Sequence, residues 1–176
     1  MEEHTREDLE GMLQDAALNW LAHDGLWFLA VEERFGLEKA IELDAEAWKT
    51  FTVIEAKRIM KRHGIEQGGG LAALARALQF RLYAFINEQE IVEQSDDRLV
   101  FRMNECRVQS ARARKGLPEF PCKSVGLVEY SGFASSIDPR IETRCIGCPP
   151  DPHPDEWYCA WEFTMPEVGG GDPSGG

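Results

Sequence analysis

Five cysteines carry most of the chemistry in this 176-residue chain: Cys106, Cys122, Cys145, Cys148 and Cys159. Three of them fall in "RCIGCPPDPHPDEWYCAWEF", residues 144–163, beside His153. Cys145 and Cys148 have the Cys-x-x-Cys spacing that presents two thiolates to one zinc or iron ion, and Gly147 lets the backbone fold back over it. One such pair is half a site. Cys159 is the best third ligand, because a hairpin returns it to the base of the loop; His153, Cys106 and Cys122 compete for the fourth place. Two other readings stand beside the metal: buried thiols acting as small apolar residues, and a Cys-x-x-Cys redox pair, for which the expected βαβ context is missing.

Cys106 and Cys122 are also candidate nucleophiles. Cys106 falls in the first turn of a helix expected over 105–115 with Asn104 as its cap, and Arg102 and Arg107 add positive charge. Cys122 follows Pro121 at another expected helix start, beside Lys123. Helix N-termini favour thiolates, and the same effect prepares a metal ligand. In "WLAHDGLWF", residues 20–28, His23 stands on an apolar stripe as a candidate general base. The competing reading is a hydrogen-bonded core histidine. Neighbours on a helix diverge by about 100°, so Asp24 reaches His23 only if Gly25 breaks the helix. Glu32 and Glu55 are the acids expected nearest that stripe, but no Glu-x-x-His occurs to suggest a di-iron site. Trp20, Trp27 and Trp48 read as core aromatics.

The elements that must position these groups follow from periodicity. Leu13, Ala16, Trp20, Trp27 and Ala30 recur at steps of three and four, which predicts a helix over 8–36 with Gly25 as a possible break. Asp44 is the expected N-cap of a second helix ending at His63, where Gly64 stops it. "EQGGG", residues 66–70, reads as a turn before a third helix over 71–87. Beyond it, Ile91, Val92, Leu99, Phe101 and Met103 predict a hairpin turning at 95–97. A helix over 121–138 follows the short one at 105–115. Strands over 141–145 and 157–164 then flank the proline-rich loop, with Trp157, Cys159, Trp161 and Phe163 on one face.

Lys and Arg total 19 against 31 Asp and Glu, a net charge of -12. That balance disfavours nucleic acid and anionic bilayers as partners. The basic segment Arg102, Arg107, Arg112, Arg114 and Lys115 reads as a solvated face or an anion contact. With an acidic start and no long apolar run, the expectation is a cytoplasmic protein that binds no membrane.

"FRMNECRVQSARARKGLPEFPC", residues 101–122, followed by "CAWEF", residues 159–163, resembles the C-terminal region of the L-2-amino-thiazoline-4-carboxylic acid hydrolase-like family. The shared order is a strand leading to a cysteine, a short helix ending in Gly-Leu-Pro-Glu, a second cysteine and a final Cys-x-aromatic-x-Phe strand. That last strand is also similar to the vinyl-four-reductase domain, in which cysteines are suspected metal ligands. By position, Cys106, Cys122 and Cys159 are the residues the resemblance implies. Through "HDGLWFLAVEERFG", residues 23–36, and "EAKRIM", residues 55–60, the whole chain is similar to uncharacterised bacterial relatives of those hydrolases.

The expected fold is α+β: an N-terminal helical layer (1–88) packed on a small antiparallel sheet with two short inserted helices (89–167). Both halves should form one compact unit, followed by a disordered tail over 168–176. Two functions are expected in competition. One is a metal- or thiol-dependent hydrolase-like enzyme acting on a small molecule, with His23, Cys106 and Cys122 as catalytic candidates and Cys106, Cys122, Cys145, Cys148 and Cys159 as ligands of zinc or iron. The other is a non-catalytic small-molecule-binding or sensor protein with a structural metal. An exposed helical face is compatible with a homodimer.

Overall fold

Thr5 starts the first helix through a reciprocal cap. Its hydroxyl accepts from the Asp8 N–H at 3.1 Å while Asp8 Oδ2 accepts from the Thr5 N–H at 2.9 Å, which satisfies donors that a helix start otherwise leaves open. In this computed structural model, which describes residues 4–166, helix α1 (Arg6–Phe35) runs unbroken through Gly25. A lone internal glycine costs only about 1 kcal/mol, which the flanking helix formers outweigh. The break comes instead at Gly36, whose φ of 85° suits a residue without a Cβ. Helix α2 (Leu37–His63) begins directly after it. Asp44 is therefore not an N-cap but an interior residue of α2, and Gly64 ends the helix as its position predicts.

The expected third helix is cut short. Helix α3 (Gly70–Leu78) gives way to a single 3₁₀ turn, Leu82–Phe85. Arg81 between them is extended and only 2% exposed. Its Nε donates to Glu55 Oε2 at 2.9 Å and its Nη1 lies 2.7 Å from Glu129 Oε1. Burial works against that charge, yet the two carboxylates hold the guanidinium protonated more firmly than usual.

Strands β1 (Glu88–Gln94) and β2 (Arg98–Glu105) form the expected hairpin, with the Ser95 hydroxyl accepting from the Arg98 N–H at 3.0 Å. Helices α4 (Arg107–Arg114) and α5 (Lys123–Ile137) precede β3 (Glu142–Gly147) and β4 (Cys159–Thr164). The sheet is antiparallel throughout in the order β1-β2-β4-β3. Its register sets Leu99, Phe101 and Met103 opposite Phe163, Trp161 and Cys159. Alternation places these six on one face, and Tyr130 of α5 stacks on Trp161 there at 4.7 Å.

The fold is thus α+β, with helices N-terminal to the sheet and two inserted within it. Helix α5 is the one that covers the sheet, and α2 packs along α5. Ala56, Ile59, Leu71, Leu74, Phe101, Phe133 and Trp161 belong to one buried cluster, so residues of both halves share a core. Each fully buried large side chain there contributes roughly 1.5–3 kcal/mol relative to exposure. Among the described residues, no helix is long and apolar enough to cross a membrane. The tail expected to be disordered, 168–176, lies outside the described residues.

Candidate functional site

A cavity of about 420 Å³ opens between α1, α4, α5 and the sheet. Helix α1 contributes Leu18, Leu21, Ala22, Gly25 and Leu29. Their spacing of three, four, seven and eleven from Leu18 marks one helical stripe. This stripe is offset from the one that the spacing of Leu13, Ala16, Trp20, Trp27 and Ala30 predicts, and the offset removes His23. His23 is exposed and does not line the cavity. One residue on, Asp24 does line it, because consecutive side chains diverge by about 100°. Trp27 is 69% exposed, which corrects its assignment to the core. Trp20 and Trp48 do pack inside, meeting edge to face at 6.2 Å with Phe51 and Tyr83 around them.

The opposite wall carries thiols: Cys106, Cys122, Cys148 and Cys159 all line the cavity. Gly126 brings two of them together. A Cβ on Gly126 would sit 2.6 Å from Trp161 Cζ2, so only the absence of a side chain lets the first turns of α5 lie this close to the sheet. Cys122, at the N-cap of α5, then reaches Cys148, with the sulfurs 3.4 Å apart. Cys159 accepts from Trp161 Nε1–H at 3.3 Å and Cys122 from Gln109 Nε2–H at 3.6 Å. Hydrogen bonding to Cys122 and Cys159, reinforced by burial, raises the proton affinity of the Cys148 thiol.

Cys106 is the N-cap of α4, not a residue of its first turn, and Asn104 lies in β2, where it donates to Glu90. Its thiol is pushed up to about 12 by burial, although the N–H groups of Gln109 and Val108 pull the other way. The helix start is present, but desolvation outweighs it. Cys145 does not line the cavity; burial pushes its thiol up to about 11, against the pull of Lys123. His153 turns to Pro154 O at 2.9 Å and Glu119 at 3.4 Å. Among the described residues, no group of three or more His, Cys, Asp or Glu side chains is already arranged to hold a metal ion.

Charge is distributed unevenly around this space. Asp24, Asp44 and Glu129 face it from α1, α2 and α5. Burial, with Asp24 and Glu129 adding to it, pushes the Asp44 carboxyl up to about 7. Arg107, Arg114 and Lys115 are exposed residues of the lining near the α4 side. Arg112 differs from this group. It is buried, donates to both oxygens of Glu32 at 2.8 and 3.2 Å and to Pro118 O at 2.9 Å, and so ties α4 to α1. Neither Glu32 nor Glu55 is free for acid-base work, since each faces an arginine.

The model of a family of unknown function, DUF6125, matches residues 2–165. The chain belongs to this family. No curated protein matches it. Among solved structures, this DUF6125 chain is similar to a trafficking protein particle complex subunit 3 from Naegleria fowleri, described as covalently bound to palmitic acid. The likeness has a TM-score of 0.51 at 9% identity and covers 87% of this chain and 96% of that one. It is a likeness of fold.

Proposed function

We propose that this DUF6125 protein binds a small molecule with an extended apolar part, of the fatty-acyl class, in the cavity between α1, α4, α5 and the sheet. The observation that carries this reading is the cavity itself. At about 420 Å³ it falls in the ~300–1,000 Å³ range of ligand pockets, and aliphatic and aromatic side chains dominate its walls. Arg107, Arg114 and Lys115 supply positive charge for a carboxylate head. The subunit of similar fold that carries palmitic acid makes an acyl chain the first ligand to try.

Binding is favoured over hydrolysis. No histidine lines the cavity among the described residues, and burial holds the Cys106 thiol protonated at neutral pH, so an activated nucleophile has no partner here. A reducing compartment suits five free thiols, so we place the protein in the cytoplasm.

The test is titration of the delipidated chain with a fluorescent polyene fatty acid, followed by displacement with palmitate. Ala22→Trp and Ala111→Trp, which fill the lining from α1 and α4, should weaken binding at least tenfold while leaving the thermal melt unchanged. No saturable binding by the natural chain, or equal binding by well-folded plugged variants, overturns the reading.

A further inference from the structure

Cys122 and Cys148 both line the cavity, and their sulfurs stand 3.4 Å apart. We infer that these two thiols are a reversible disulfide site, closed by a small hydroperoxide that enters through the cavity and reopened by a low-molecular-weight thiol. The pairing is not the one that Cys-x-x-Cys spacing suggests. Cys145 stands opposite Trp161 in the sheet, its strand shifts register before Gly147, and it is not part of the cavity lining. Cys148 instead hydrogen-bonds to Cys122, a residue of another element.

The backbone on both sides is already pinned for this bond. Lys123 N–H donates to Pro149 O at 2.9 Å, and Lys123 Nζ meets Asp151 Oδ2 at 2.6 Å. The neighbours of the two cysteines are thus held together, and a disulfide of about 2.05 Å asks the sulfurs to close by only about 1.3 Å. Cys122 is half-buried whereas Cys148 is 1% exposed, so Cys122 meets the oxidant first. Its sulfur attacks the peroxide O–O bond, becoming a sulfenic acid as one water leaves. The Cys148 sulfur then attacks the sulfenic sulfur, and its proton departs with the hydroxyl as a second water. Two thiols lose two electrons and two protons, and the peroxide is reduced to two waters. In a reducing compartment such a bond is transient, as redox-sensing disulfides are. While it lasts, it ties the start of α5 to the segment after β3 and stiffens that cavity wall.

The pair works without the apolar ligand, so the test uses the delipidated chain and hydrogen peroxide alone. The reduced, folded chain is treated with peroxide near stoichiometry, alkylated and mapped by mass spectrometry. Two of the five free thiols should disappear with the loss of two hydrogens from the intact mass, and the map should join Cys122 to Cys148. Reduced glutathione should restore both thiols, and the oxidised chain should melt several degrees higher, because the cross-link restricts the unfolded state. Cys145→Ser should form the bond at an unchanged rate. Cys148→Ser should lower the yield of intrachain disulfide at least tenfold and leave a dimedone-reactive sulfenic acid on Cys122; if that variant unfolds, the map of the natural chain decides alone. No loss of thiols, a Cys145–Cys148 or Cys148–Cys159 bond, linkage only between chains, or oxidation of Cys122 to a sulfinic acid with Cys148 still free overturns it.

Discussion

Arg81 Nη1 lies 2.7 Å from Glu129 Oε1 in the core, and the same guanidinium meets Glu55 from the opposite helix. It also sits over the Phe133 and Tyr130 rings, 4.8 and 5.4 Å from their centroids. The triad joins the segment after α3 to both α2 and α5, and Glu129 extends it to the cavity wall. Removing the cation leaves two buried carboxylates without a partner, so Arg81→Ala should cost roughly 3–5 kcal/mol. Glu129→Gln should cost less, because Glu55 still neutralises Arg81. Urea midpoints of the two variants check the order.

Stability should fall as pH rises through neutrality. The Asp44 carboxyl, pushed up to about 7 by burial, keeps its proton in the folded chain at pH values where the unfolded chain has lost it. Its contribution is therefore complete below about pH 4 and is lost as pH rises through about 7. Asp24 and Glu129 shift in the same direction, both through burial first. Asp44→Asn should flatten the decline between pH 5 and 8 by on the order of a few kcal/mol, as read from urea midpoints at each pH.

The acid limb has the opposite sign. Hydrogen bonds from Arg140 hold the Asp138 carboxyl down at about 2, and Arg144 and Arg98 lower that of Glu162. Their stabilisation is present above about pH 4 and disappears as pH falls toward 2. Asp138→Asn should shrink the acid loss, and a thermal melt series from pH 5 to pH 2 would reveal a retained full loss if Asp138 is not responsible.

Gly126→Ala should loosen the site. The new methyl meets Trp161 at under 3 Å, and overpacking of this kind costs typically ~1–3 kcal/mol. Near-ultraviolet circular dichroism should change with it, because Trp161 is fully buried. An unchanged spectrum with unchanged stability would contradict the packing described.

His23→Ala should leave both stability, within about 0.5 kcal/mol, and fatty-acid binding unchanged, because the side chain is exposed and outside the cavity. A tenfold loss of binding in this variant would return His23 to the site.

Local pattern alone determined a good part of this molecule. Two-residue alternation in Leu99, Phe101, Met103 and in Cys159, Trp161, Phe163 specified two strands and their buried face, and Gly64 specified where α2 stops. The α+β class follows from these signals. Tertiary structure decided the rest, for identifiable reasons. Arg81 ended the third helix early because two distant carboxylates, Glu55 and Glu129, reward its burial, and no local propensity carries that information. The choice between two overlapping apolar stripes on α1 depended on what α4, α5 and the sheet presented opposite; steps of three and four pointed to Leu13, Ala16, Trp20, Trp27 and Ala30 with His23 among them, while the cavity took Leu18, Leu21 and Leu29. Cys122 and Cys148, twenty-six residues apart, meet only because Gly126 allows α5 against Trp161. The sequence named the five thiols, and long-range packing selected which of them face one another.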